Sequence, residues 1–157
     1  MSPDDIPLLF PTPFRFRKGV LREFHAELIK RVTRGRDFTC LIANDAELRR
    51  LNRRFLGKDH ATDVLSFPAD GANGTCGDLA ISLDRAKAQG TARGHTAEDE
   101  LRILMLHGAL HLAGFDHETD GGEMARSELR WRKRLGLPAG LIERTDNGTT
   151  KNGSRNK

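Results

Sequence analysis

Asp37-Phe38-Thr39-Cys40-Leu41-Ile42-Ala43-Asn44-Asp45-Ala46-Glu47-Leu48 is the stretch that decides the fold. Seven residues rich in β-branched and aromatic side chains predict a strand, and Asn44 with Glu47 three positions later is the signature of a helix start. A strand that feeds a helix directly points to an α/β architecture. In the helix that follows, Leu48, Leu51 and Phe55 form the expected buried stripe, Arg49, Arg50, Arg53 and Arg54 occupy the remaining positions, and Gly57 ends it.

Working outward, Leu21, Phe24, Leu28 and Val32 fall at helical spacing before Gly35. Upstream, Ser2 to Pro13 holds four of the six prolines and predicts a loose arm, leading into Phe14-Arg15-Phe16-Arg17, whose alternation fits an edge strand. Downstream, Val64 to Pro68 and Leu79 to Ser82 predict a strand pair around the glycine-rich turn at Gly71 to Gly77. Thr96 and Asp99 open a helix that is apolar nearly all round and therefore buried, running to Gly114, and a last helix spans about Gly122 to Leu135. The expectation is a single α/β domain over residues 1–146, with a small mixed sheet of about four strands and about five helices. Residues 1–13 are its proline-rich arm, and 147–157, without an apolar anchor, form a disordered tail.

A chain of 157 residues buries enough surface to fold without a disulfide or a structural metal. Cys40 and Cys76 lack Cys-x-x-Cys pairing, which predicts reduced, buried thiols. The longest apolar runs are a few residues, against the ~20 of a membrane span, and the first 30 residues carry charge throughout, arguing against an anchor or a secretion leader. A cytoplasmic protein is expected. The formal net charge of +4 is unevenly placed: Arg15 to Arg36 holds eight basic residues against Glu23 and Glu27, an asymmetry suited to a polyanionic partner.

The chemistry lies in His107-Gly108-Ala109-Leu110-His111-Leu112-Ala113-Gly114-Phe115-Asp116-His117. His107 and His111, at i and i+4, share one face of the buried helix, and the turn at Gly114 can return His117 to the same point. Three neutral nitrogens with one open position make a hydrolytic zinc centre, one ion per chain. With six histidines in 157 residues, chance predicts only ~0.009 such matches. Alternatives are three separately satisfied core histidines, or a closed structural zinc with Asp116 or Glu118 as fourth ligand. His25, His60 and His95 are expected at the surface. The spacing equals that of metzincin peptidases, but Gly108 stands where their general-base glutamate would be, which argues against a peptidase and for open space beside the metal that could admit a phosphodiester.

These residues closely resemble the His-Gly-x-Leu-His-Leu-x-Gly-Tyr-Asp-His signature of the YbeY family, single-domain zinc endoribonucleases of bacterial ribosomal RNA maturation. Leu51 to Pro68 resembles the family's Leu-Asn to Thr-Asp-Val-Leu-Ser-Phe-Pro block, and Gly77-Asp78-Leu79-Ala80-Ile81-Ser82 its Gly-Asp-Ile-x-Ile-Ser strand. The resemblance implies zinc on His107, His111 and His117 and cleavage of single-stranded RNA at the 3′ end of 16S ribosomal RNA. It implies as partners the rRNA precursor and the small ribosomal subunit or its proteins, with no DNA, no membrane and a monomeric chain. Asp116 or Asp78 would orient a histidine through its second nitrogen, and Arg49, Arg50, Arg53, Arg54 and Lys58 would hold phosphates. Leu56 stands where the family usually has arginine, Ala61 where proline is common and Phe115 where tyrosine is usual. The rival reading is a non-catalytic, zinc-stabilised ribosome-assembly or RNA-binding factor, which Leu56 favours.

Overall fold

A computed structural model describes residues 7–70, 74–114 and 121–138. Four strands form one sheet: β1 (Leu8–Leu9), β2 (Asp37–Ala43), β3 (Val64–Pro68) and β4 (Thr75–Ser82), in the order β1-β2-β4-β3. β1, β2 and β4 are parallel, and β3 runs antiparallel to β4 as an edge strand. Five helices accompany them: α1 (Lys18–Arg31), α2 (Asp45–Leu56), α3 (Leu83–Arg93), α4 (Ala97–Leu112) and α5 (Glu123–Arg134). The expected single-domain mixed α/β architecture is the one observed.

Alternation along β2 sorts the layers. Phe38, Cys40 and Ile42 point into the main core with Leu79 and Ile81 of β4 and the apolar residues of α1 and α4. Leu41 and Ala43 point the other way and pack with Ala80, Leu65 and Phe67 under Leu48 and Leu51 of α2. The sheet is thus sandwiched, α2 on one face and α4 on the other.

Several local expectations hold in atomic detail. Asn44 Oδ1 accepts from Glu47 N at 2.8 Å, Gly57 closes α2 at φ 71°, and Thr96 with Asp99 makes a reciprocal capping box. Both cysteines are free and buried, and burial pushes the Cys40 thiol up to about 12.

Others need correction. Pro7 to Pro13 is not all loose arm, since Leu8–Leu9 adds β1 beside Cys40 and Leu41; residues 1–6 and the tail 147–157 lie outside the described residues. Phe14 to Arg17 is not an edge strand. Its phenylalanines pack as a ring cluster with Phe10, 4.6 Å from Phe14, against the core. Helix α3 escapes the pattern because Leu83 and alanines are its only apolar residues, and Ser82 Oγ caps it by accepting from Arg85 N at 3.1 Å. His25 is buried and the His95 side chain is largely covered, rather than superficial: His25 donates to the Phe38 carbonyl oxygen at 2.8 Å, and His95 to Glu100 at 2.6 Å.

Candidate active site

From Leu101 to Leu112 helix α4 is buried except at Arg102, His107 and His111. The two imidazoles stand one helical turn apart with ring centroids 4.9 Å apart and planes at 71°, as the i, i+4 spacing predicts. They border a cleft of about 450 Å³ whose opposite wall is Thr62, Asp63, Val64, Leu65 and Ser66, leading into and along β3. Asn52, Leu56, Lys58 and His60, from the end of α2 and the loop beyond it, complete the rim.

Glu128 of α5 is the site residue that the sequence pattern does not single out. His107 Nδ1–H donates to Glu128 Oε1 at 2.8 Å, while Arg132 donates to Glu128 Oε2 at 2.8 Å. Burial acts to raise the Glu128 carboxyl, but the hydrogen bond with His107 and the charges of His107 and Arg132 outweigh it and hold the group below the usual carboxylate range. A carboxylate on Nδ1 fixes the ring and turns Nε2 the other way, the arrangement in which histidine ligates metals. Twenty-one residues separate the partners, so periodicity within one element could not reveal the pair.

Asp78, one of two residues expected to orient a histidine, stands elsewhere. It is exposed on β4, accepts a hydrogen bond from Thr39 Oγ1, and points to the face opposite Leu79, which touches α4. Asp116 and the third expected ligand, His117, lie outside the described residues. Among the described residues, no group of three or more histidine, cysteine, aspartate or glutamate side chains forms a metal-holding cluster. The donors present fit zinc: two imidazoles on one helix face, one of them backed by a carboxylate.

Gly108 does not provide open space. A Cβ there would lie 2.7 Å from Leu79 Cδ2, so the glycine lets α4 press against β4. Gly77, at φ 136°, serves the same junction: β4 bulges there against β2, and a Cβ would fall 2.3 Å from the Phe67 carbonyl oxygen. The room for a substrate is instead between the histidines and β3.

Of the five cations expected to meet phosphates, Lys58 lines the cleft. Arg49 Nε donates to Asp59 at 2.8 Å, with Arg53 3.7 Å from the same carboxylate, and Arg50 is paired with Glu47 through two bonds of 3.0 and 2.6 Å. The hydrogen bond from Arg49, more than its charge, holds Asp59 below the usual range, and that from Arg50 does the same for Glu47. These exposed pairs, solvated by water, are open to exchange with a phosphate.

The fold and site are those of a small α/β domain with paired imidazoles on a buried helix that open on a cleft at the sheet edge. The family model for Endoribonuclease YbeY matches residues 15–136. A Solibacter usitatus protein named Endoribonuclease YbeY is 56% identical over 144 residues, covering 91% of this chain and 97% of the relative. Another of that name from Koribacter versatilis is 54% identical over 117 residues, covering 74% and 76%. The solution structure of a Thermotoga maritima protein shares the fold, with a TM-score of 0.58 at 23% identity over 96% of this chain and 99% of that one. The chain belongs to the YbeY endoribonuclease family.

Proposed function

We propose that the protein is a zinc-dependent endoribonuclease that cleaves single-stranded RNA in maturing the 3′ end of 16S ribosomal RNA, acting in the cytoplasm as a monomer on the precursor or the small subunit. Family membership supports the nuclease activity. The observation that carries the metal reading is the His107–His111 pair with Glu128 behind His107.

In this reading His107, His111 and His117 hold one zinc ion. Zinc there supplies a positive charge that withdraws electron density from a phosphoryl oxygen and makes a nearby water more acidic. The chain's own residues do the rest. Glu128, held by Arg132, keeps the His107 proton on Nδ1 and fixes the ring's direction. Lys58 at the rim meets a phosphate, and Arg49, Arg50, Arg53 and Arg54 on α2 draw the strand toward the cleft. Asp116 would serve as a further orienting group.

The test is purified protein on labelled single-stranded RNA, with and without chelator. Metal-dependent cleavage is expected. Binding without cleavage would instead establish the non-catalytic assembly factor, the reading favoured by Leu56, an apolar side chain lining the cleft at the usual arginine position. In the same assay Arg53→Ala with Arg54→Ala flattens the salt dependence of binding by about 0.7 in log–log slope per lost phosphate contact; an unchanged slope removes both from the RNA surface.

A further inference from the structure

Phe55 lies on the helical stripe of Leu48 and Leu51, yet it is 59% exposed. The last turn of α2 lies by β3, the sheet's edge strand, and the ring meets Phe67 edge-on at 5.8 Å and 72°. Beside it Leu56 is 46% exposed. A single exposed aromatic is ordinary, but this one stands in a basic field. The Arg54 guanidinium lies 5.3 Å from its centroid, and Arg53 and Lys58 flank it in the chain. The cleft begins one residue away along each element, since Leu56 and Ser66, the chain neighbours of Phe55 and Phe67, both line it.

We infer that Phe55 is a stacking platform for a base of the single-stranded RNA, a nucleotide flanking the one cut, with Arg54 covering or flanking the stacked base. This rests on the nuclease reading and adds the binding mode. A strand leaving the histidines across the edge of β3 passes from the cleft to the opposite sheet face, where Phe55 and Phe67 stand. An unpaired base offers the flat π surface that the ring matches, and its phosphates offer the charge that Arg53, Arg54 and Lys58 match. A protein partner would match both the ring and the cations only by presenting carboxylates around an apolar group, whereas a single strand carries a phosphate beside every base. Because every base has a π face, the platform contributes affinity and position with little sequence preference.

The experiment measures binding of the zinc-loaded protein to a labelled 2′-O-methyl phosphorothioate oligoadenylate, chosen to resist cleavage, and to the same backbone carrying abasic positions. Phe55→Leu is expected to weaken oligoadenylate binding by roughly 5- to 100-fold, with the salt slope unchanged and the abasic backbone bound as by wild type. Phe55→Trp, with Trp131→Phe removing the single native tryptophan, retains affinity, and its fluorescence is quenched on binding. Equal affinity of Phe55→Leu and wild type for oligoadenylate overturns the platform while leaving the nuclease reading intact. The same result with reduced co-sedimentation on small subunits assigns the ring to a protein instead. No salt-linked binding by wild type itself overturns the nuclease reading, and the platform with it.

Discussion

Among the described residues, two histidine–glutamate–arginine groups differ in their surroundings. At the α3–α4 junction His95 and Arg93 both reach Glu100, at 2.6 and 3.2 Å, with the His95 and Glu100 side chains 6% and 0% exposed. At the cleft His107 and Arg132 both reach Glu128, at 2.8 Å each, with the His107 and Glu128 side chains 30% and 17% exposed. The chemical groups are the same. The sealed group ties two helices across a tight turn, whereas the open one points an imidazole at solvent-filled space where a reactant can arrive. Access, more than residue identity, separates a structural clamp from a site.

The contrast is sharpest for metal binding. His111→Ala is expected to abolish stoichiometric zinc in elemental analysis, whereas His95→Asn leaves it at one per chain; zinc retained by the first variant breaks the ligand assignment. Stability should divide the groups the other way. Glu100→Ala takes the carboxylate from the buried His95 ring and from Arg93, which is 36% exposed, and is expected to cost about 2–3 kcal/mol in denaturant unfolding. Glu128→Ala, beside an open cleft, costs about 1 kcal/mol; equal losses would erase the distinction. Glu128→Ala should nevertheless weaken zinc affinity about 10- to 100-fold by competition with a metal indicator, because an unheld His107 ring must be ordered on binding.

The smallest effect belongs to a third histidine without a carboxylate. Burial, the larger influence, lowers the pKa of His25, and the hydrogen bond to the Phe38 carbonyl with the charge of Asp37 only partly offsets it. The unfolded chain therefore takes up this proton first as pH falls. The stability linked to His25 is complete above about pH 6.5 and is lost as pH falls through that value toward the lower folded one. Unfolding curves of His25→Gln between about pH 7 and 5 should be flatter than those of wild type; parallel curves would show that the ring titrates as in water.

The legible parts of the molecule were those fixed by neighbours in sequence. The β2–α2 unit, the capping box of α4, and the shared face of His107 and His111 follow from backbone hydrogen bonding and helical periodicity within a few residues. Helix α3 was hidden because its burial rests on Leu83, Ala86 and Gly90, small residues that mark little amphipathic contrast. The exposure of Phe55 was hidden for the opposite reason: its periodicity is right, but the sheet ends beneath it.

By itself, the sequence determined the α/β class, the paired histidines on one buried helix and the basic character of α2, since each follows from local spacing and composition. Only the tertiary structure decided that Glu128, not Asp78, holds His107, that Gly108 is filled by Leu79 rather than open, and that β3 walls the cleft. Those outcomes depend on which elements meet and at what distance, and close packing between segments far apart in the chain leaves no periodic trace along it.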